Sequence, residues 1–171
     1  PIYGIGAEFI QILASRGYDL VLVARSEDKL NQLAVKVGGQ FGVNCTVIVA
    51  DLSEPNAAQN LFQSIEAKGL DVDFLINNAG LLHNGFFTEL NLAEQERMIV
   101  VNILALTALT HLYANNMASK GGGHILNVAS LAGWMAIPNQ NVYAATKAYV
   151  LAFTQALSNE MIATGSGVQV T

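Results

Sequence analysis

Two side chains near the end of the sequence could move protons together. Tyr143 and Lys147 are four residues apart, so on a helix they would lie on the same face. An unperturbed tyrosine titrates near ~10, but a nearby cation favours the phenolate form. We therefore expect the pair to donate and accept protons near neutral pH, which is general acid–base chemistry. The alternative is an ordinary pair of exposed side chains on a helix.

Ser130 is a third candidate for the same chemistry. It follows the apolar run at residues 124–129, which predicts a β-strand. At the end of that strand, the hydroxyl could hold and polarise the oxygen that Tyr143 protonates. Together the three residues predict an acid catalyst that acts on a carbonyl group.

Short apolar runs alternate with longer segments of helical spacing along the whole sequence. Strands that are apolar on both faces belong to a parallel sheet covered by helices. We therefore predict one α/β domain over residues 1–171, a doubly wound, Rossmann-like parallel sheet with helices on both faces. The predicted strands are 19–24, 45–50, 73–76, 124–129 and 168–171, and the predicted helices are 6–16, 27–37, 56–68, 92–118 and 142–163. We expect helices to end at Gly17, Gly38-Gly39, Gly69 and Gly121-Gly122-Gly123.

Composition and charge exclude several classes of protein. Net charge is −5 and no cluster of Lys or Arg occurs, which argues against nucleic acid or an anionic membrane as the main partner. The longest apolar stretch, 98–109, is interrupted by Asn102 and Thr107 and is too short and polar to span a bilayer. With a single cysteine and no leader-like N-terminus, we expect a cytoplasmic protein. The three histidines lack ligand spacing, so we expect no metal site.

Polar residues and glycines follow the predicted strands. Arg25, Asp51, residues 77–80 and Ser130 each come directly after a strand. In open α/β sheets, ligands bind outside the carboxyl ends of the strands, so these residues should line one binding edge. The alternative for each is a turn or a helix cap, with Ser26 capping the second helix and Asp51 with Ser53 capping the third.

The start of the sequence predicts a phosphate-binding turn. Gly4-Ile5-Gly6 precedes the first helix, and such glycines let a pyrophosphate approach the helix N-terminus. Only Pro1, Ile2 and Tyr3 come before these glycines, so the strand of the full fingerprint is missing. About twenty residues on, where an NAD site places a carboxylate, the sequence has Arg25 and Ser26. A guanidinium beside a hydroxyl suits a 2′-phosphate and favours NADP, unless Arg25 only closes a turn.

In this order, these motifs resemble those of the short-chain dehydrogenase/reductase family. The resemblance covers nearly the whole chain, and it is specific because the motifs occur jointly. The matching residues are Gly4-Ile5-Gly6, Asp51-Leu52, Asn77-Asn78-Ala79-Gly80, Asn102, Ser130 and Tyr143-Ala144-Ala145-Thr146-Lys147.

The resemblance implies a role for each matching residue. Tyr143 would be the general acid/base, Lys147 would favour its phenolate and bind the nicotinamide ribose, and Ser130 would position the substrate oxygen. Asn102 would help to hold a water between Lys147 and solvent, although an interior helix asparagine that bonds to backbone is the alternative. The implied cofactor contacts are Asp51 and Leu52 to the adenine, and Asn78, Ala79 and Gly80 beneath the adenosine ribose and the centre of the sheet.

The sequence departs from the family pattern at both ends. The Thr-Gly pair and first strand that begin the family's phosphate loop are absent, and Tyr3 to Gly6 match only the second half of that loop. The sequence stops inside the strand that leads, in the family, to a Pro-Gly turn, a substrate lid and a last strand. We therefore expect part of a longer enzyme that lacks the first and last strands of the family fold.

The function implied is that of an NADP(H)-dependent carbonyl reductase or alcohol dehydrogenase. The alternatives are a nucleotide-sugar epimerase or dehydratase, and a non-catalytic NADP-binding regulator or inactive fragment. The long helices around Asn102 and after Tyr143 resemble those that pair family members, so we expect a homodimer or homotetramer. An apolar small-molecule substrate is indicated by residues that could equally be core or interface, namely Leu81, Leu82, Phe86, Phe87, Leu131, Trp134, Met135 and Ile137.

Overall fold

Helices alternate with parallel strands throughout residues 4–171, which are the residues that the computed structural model describes. The chain divides into two compact units, one ending at Asp51 and the other running from Leu52 to Thr171. Tyr3, which the sequence assigns to the phosphate loop, lies outside the described residues, as do Pro1 and Ile2.

The first unit contains two helices and two strands. Helix α1 (Ile5–Ser15) leads to strand β1 (Leu20–Ala24), and helix α2 (Glu27–Phe41) leads to strand β2 (Cys45–Val49). The strands pair in parallel, from Leu20 opposite Cys45 to Ala24 opposite Val49. Apolar side chains of both helices and of β1 form the core of this unit, namely Ala14, Leu20, Leu22, Leu30 and Val37.

The second helix is longer than the sequence predicts. Gly38 and Gly39 do not end it, because α2 continues to Phe41 and ends at Gly42. Gly42 has the left-handed conformation, with φ of 72°, that commonly ends a helix and that glycine adopts without strain. Phe41 packs against the apolar core, so the last turn gains burial that outweighs the weak helix propensity of the two glycines.

The second unit is a three-stranded parallel sheet with four α-helices. In chain order its elements are α3 (Ala57–Ala67), β3 (Phe74–Asn77), α4 (Leu92–Ile99), a π-helical segment (Val100–Ala105), α5 (Leu106–Ser119), β4 (Gly123–Asn127), a 3-10 turn (Leu131–Gly133), α6 (Asn141–Thr164) and β5 (Val168–Val170). The strand order is β3-β4-β5, with Asn77 paired to Asn127 at the end of β3 and β4. The predicted α/β class with parallel strands is confirmed, and the described strands belong to two sheets.

The helical run from α4 through α5, Leu92–Ser119, is long and apolar enough to cross a membrane by length and composition alone. Half of its most apolar window is buried inside the structure, as in the core helix of a soluble protein. Two of its buried residues, Asn102 and Thr110, are polar and hydrogen-bond to other elements of the unit. The run therefore serves here as the central packing helix of the second unit.

Glycines let the loops before β4 and β5 touch. Gly167 has φ of 75°, and a Cβ at this position would lie 2.4 Å from the Gly121 carbonyl oxygen. Gly165 ends α6 with φ of 63°, but nothing lies within 4 Å of its Cβ position. The first glycine is thus required by both conformation and space, and the second by conformation alone.

We expect Gly167→Ala to destabilise the protein more than Gly165→Ala. The left-handed conformation alone costs about 1–2 kcal/mol for a residue with a Cβ, which is the expected effect of Gly165→Ala. Gly167→Ala adds the clash with the Gly121 carbonyl, for a further ~1–3 kcal/mol. Urea denaturation of both variants measures the difference, and equal losses would contradict the close approach of the two loops.

Candidate active site

Helix α6 brings Tyr143 and Lys147 together on one face. The Lys147 Nζ lies 5.9 Å from the centroid of the Tyr143 ring, within the range of a cation–π contact. Tyr143 is half-buried, and Lys147 is only 5% exposed. The pair is therefore not an ordinary exposed one, because the ammonium group is withdrawn from water.

The buried ammonium of Lys147 has a fixed backbone partner. Its Nζ donates a hydrogen bond to the carbonyl oxygen of Val128, at 2.7 Å. Val128 directly follows β4, so this bond attaches α6 to the end of that strand. Burial lowers the pKa of Lys147 below its ordinary value, because desolvation disfavours the charged form.

Asn102 lies in the π-helical segment and is 1% exposed. Its Oδ1 accepts from the backbone N–H of Leu81 at 2.8 Å, and its Nδ2 donates to the Leu81 carbonyl at 2.9 Å. Nδ2 also lies 3.1 Å from the Thr146 hydroxyl. The side chain does bond to backbone, but to the loop after β3 rather than to its own helix. It therefore ties that loop to α6, and the water-holding role stays a prediction.

The loop after β3 passes close to both residues. A Cβ on Gly80 would lie 3.5 Å from Asn102 Oδ1 and 3.6 Å from Lys147 Nζ. Asn78 forms a tight turn in this loop, since its N–H donates to the Ile76 carbonyl. The predicted cofactor residues Asn78, Ala79 and Gly80 thus share one short loop that lies against the Lys147 ammonium.

Ser130 lies just beyond the end of β4 in extended conformation, where it caps the 3-10 turn. Its Oγ accepts from the N–H of Ala132 at 3.2 Å, which leaves the hydroxyl proton to donate elsewhere. Gly133, at the end of the turn, packs directly on α6, because a Cβ there would lie 2.8 Å from the Lys147 carbonyl oxygen. The segment that carries Ser130 is therefore held against the turn of α6 that carries Lys147.

The first unit holds the predicted residues of the phosphate and adenosine side. Gly4 precedes α1 with φ of 61°, and Gly6 is buried in the first turn, whereas Ile5 is exposed. Arg25 is 58% exposed and its guanidinium lies 3.8 Å from the Asp51 carboxylate. Ser26 occupies the position before α2 without a side-chain capping bond.

The capping alternative for Asp51 and Ser53 is wrong. Asn56 is the residue that precedes α3, so neither side chain caps that helix. Ser53 instead accepts a hydrogen bond from Arg97 Nε at 2.9 Å, which links the segment after Leu52 to α4. Asp51 faces Arg25 at the ends of the paired strands β1 and β2.

The sequence of residues 2–171 matches a family model described as short chain dehydrogenase. The chain belongs to the short-chain dehydrogenase family. Within residues 4–171, no group of three or more His, Cys, Asp or Glu side chains could hold a metal ion.

Relatives and solved structures of this family resemble the chain over almost its entire length. It is 35% identical to the 7beta-hydroxysteroid dehydrogenase of Collinsella aerofaciens, over 98% of this chain and 63% of that protein. It is 33% identical to the very-long-chain 3-oxoacyl-CoA reductase of Mus musculus, over 97% of this chain and 54% of that protein. A short-chain dehydrogenase from Sphingobium yanoikuyae, solved in complex with NADPH, has a TM-score of 0.91 at 35% identity, over 98% of this chain and 64% of that one. The chain thus spans 54–63% of the length of these curated relatives.

Several residues of this short-chain dehydrogenase site are not predicted from sequence. Thr146 is buried, donates to the Tyr143 carbonyl at 2.7 Å and meets Asn102, so it links the two predicted residues. Gly133 has no motif around it that signals its close packing. Four buried or half-buried polar residues form a hydrogen-bonded network below the site, namely Asn77, Thr110, Asn127 and Thr154. The signal for Asn127 is that it interrupts an otherwise apolar strand.

We expect the stability of the protein to rise, relative to a Lys147→Met variant, as pH approaches 10.5, the ordinary lysine pKa. In the folded state Lys147 loses its proton at a lower pH than in the unfolded chain, so the unfolded state binds more protons between the two pKa values. Stability therefore increases with pH through that window, and the methionine variant lacks this contribution. Urea denaturation of both proteins across the window tests it, and parallel stability curves would contradict a desolvated Lys147.

Proposed function

We propose that the whole protein is an NADP(H)-dependent oxidoreductase that interconverts a carbonyl group and a secondary alcohol. The observation that carries the proposal is the buried Lys147 ammonium beside the Tyr143 ring, fixed by the Val128 carbonyl. A cation in this position stabilises negative charge on the phenol oxygen and so helps Tyr143 to give up its proton. The oxidoreductase relatives support the same class of reaction.

The residues of the second unit divide the chemistry between them. When bound, NADPH would supply a hydride to the carbonyl carbon. Tyr143 donates the proton that the substrate oxygen takes up during reduction, and accepts it during oxidation. The Ser130 hydroxyl donates a hydrogen bond to the same oxygen, since its lone pair already accepts from Ala132. Addition of one hydride and one proton turns the carbonyl into an alcohol.

The donor groups of the first unit fit a phosphorylated dinucleotide. The N-terminus of α1 after Gly4 offers backbone N–H groups and a positive dipole end to a pyrophosphate. Arg25, largely exposed at the end of β1, would bind a 2′-phosphate, and Ser26 would add a hydroxyl. Asp51 and Leu52 would contact the adenine, and Asn78, Ala79 and Gly80 the ribose. The NADPH complex of the Sphingobium yanoikuyae relative supports NADP over NAD.

The substrate we propose is an apolar ketone or acyl-type carbonyl. Two loops of the second unit expose large apolar side chains, and a hydrogen bond from the Gly85 N–H to the Asn139 carbonyl, at 3.0 Å, joins them. The steroid and long-chain acyl names of the relatives support such a substrate. The exposed side chains are Leu82, Phe86, Phe87, Leu131, Trp134 and Met135.

For the whole protein we also propose a cytoplasmic homodimer or homotetramer without a membrane or nucleic-acid partner. Exposed apolar residues on the long helical run support pairing through this helix, with Ile99 and Leu104 the clearest.

Replacement of Tyr143 by Phe should abolish turnover in the whole protein. Loss of a general acid/base lowers kcat by roughly 10²–10⁴-fold, whereas NADPH binding should change little. The measurement is NADPH oxidation over a panel of apolar ketones. Tyr149→Phe is the matched control, because Tyr149 is half-buried on the same helix and its hydroxyl meets only Thr107 among the printed side-chain contacts. Retained activity in Tyr143→Phe would remove this residue from the mechanism, and NADPH binding without turnover by the parent would support a regulator.

Replacement of Arg25 by Ala should weaken NADPH binding and leave NADH binding nearly unchanged. A hydrogen bond to a charged group contributes about 1.5–3 kcal/mol, which corresponds to a roughly ten- to hundredfold rise in the NADPH dissociation constant. Arg16→Ala removes an exposed arginine from the other end of α1 and serves as the control. Equal losses for NADPH and NADH would mean that Arg25 does not recognise the 2′-phosphate.

A further inference from the structure

The end of β4 is attached to α6 through two consecutive residues. Val128 accepts a hydrogen bond from Lys147 Nζ through its carbonyl, at 2.7 Å. Asn127 donates one from Nδ2 to the Thr154 hydroxyl, at 3.0 Å. Lys147 and Thr154 are seven residues apart, so they lie on one face of α6 two turns from each other. Two points of attachment fix both the position and the direction of the strand end along the helix.

The carboxamide of Asn127 is itself held from the opposite side. Its Oδ1 accepts from Asn77 Nδ2 at 2.9 Å and from the Thr110 hydroxyl at 3.3 Å. Asn77 is the partner of Asn127 in the β3–β4 register, and Asn127 is 6% exposed. With the oxygen engaged by β3 and α5, the amide nitrogen points to α6. The side chain is thus a rigid bridge from the sheet to Thr154.

Ser130 lies between this bridge and a second contact with the same helix. Asn127 and Val128 bond to α6 before it in sequence, and Gly133 packs on the Lys147 backbone after it. The position of the Ser130 hydroxyl relative to the turn that carries Tyr143 and Lys147 depends on these attachments.

We propose that Asn127 and Thr154 are positioning residues, whose hydrogen bond sets Ser130 against Tyr143 and Lys147. The inference rests on the proposed oxidoreductase function, in which Ser130 and Tyr143 must reach the same oxygen. Neither Asn127 nor Thr154 touches the reacting atoms, so their effect passes through Ser130. Loss of the bond shifts the hydroxyl away from the oxygen that it polarises, which lowers kcat.

Thr154→Val in the whole protein tests the bridge. Valine keeps the side-chain volume, which matters because Asn127 and Thr154 also line a cavity of about 310 Å³. We expect kcat to fall about tenfold, less than the roughly hundredfold that a 1 Å misplacement can cause, with KM for NADPH unchanged. Thr154→Ser restores the hydroxyl and should restore kcat. Thr107→Val is the matched control, since it removes another half-buried hydrogen bond to α6, the one with Tyr149, that does not reach β4.

A double-mutant cycle separates positioning from simple loss of stability. If Thr154 acts through Ser130, Thr154→Val should have little further effect on kcat in a Ser130→Ala background. A structural defect would instead lower kcat by the same factor in both backgrounds, as would equal effects of Thr154→Val and Thr107→Val. Either result would overturn the proposal.

Amide hydrogen exchange gives a readout that needs no turnover. The N–H of Ala132 donates to Ser130 Oγ, so it should exchange several-fold faster in Thr154→Val than in Thr107→Val. Unchanged exchange at Ala132 would overturn the positioning role even if the parent reduces no ketone tested. Failure of the proposed function shows separately, as a parent without turnover or as an active Tyr143→Phe variant.

Discussion

The second unit is organised around one charge that has been taken out of water. An ammonium group buried as deeply as that of Lys147 is stable only when neighbouring oxygens or aromatic faces replace its hydration. The Val128 carbonyl and the Tyr143 ring do this, and both come from elements that must therefore stay in register. Glycine at position 80 lets the loop after β3 come within reach of the same group. Much of the local geometry can be understood as the shell that this one ammonium requires.

Much of the fold follows from hydrophobic pattern alone. The five strands and five of the helical segments are predictable because apolar runs and helical spacing extend over many residues, so single exceptions do not hide them. The end of α2 is not, since Gly38 and Gly39 are helix breakers by local propensity and only the packing of Phe41 overrides them. Local sequence carries no record of such tertiary contacts.

The candidate site is predictable to a similar depth. Tyr143, Lys147 and Ser130 stand out because their chemistry and spacing are unusual together, and residues 77–80 stand out as a glycine-bearing strand end. The residues that hold them in place, Thr146 and Asn127, do not stand out. Their hydrogen bonds join positions far apart in the chain, 44 residues in the case of Asn102 and Thr146. A threonine or asparagine in an apolar segment shows that a polar group must be satisfied there, but not by which partner.

The π-helical segment Val100–Ala105 has a geometric consequence for the long central helix. One residue of an α-helix turns the chain by about 100°, so a π segment offsets the faces before and after it by one residue. Gln95 and Met98 on one side and Leu109 and Tyr113 on the other are all buried, while Asn102 between them faces Leu81. Deletion of any one residue from this segment would restore a regular helix, but would turn either half of the helix or Asn102 away from its partners. The helix can therefore be read as two amphipathic halves joined by a one-residue insertion, with the polar side chain located at the joint.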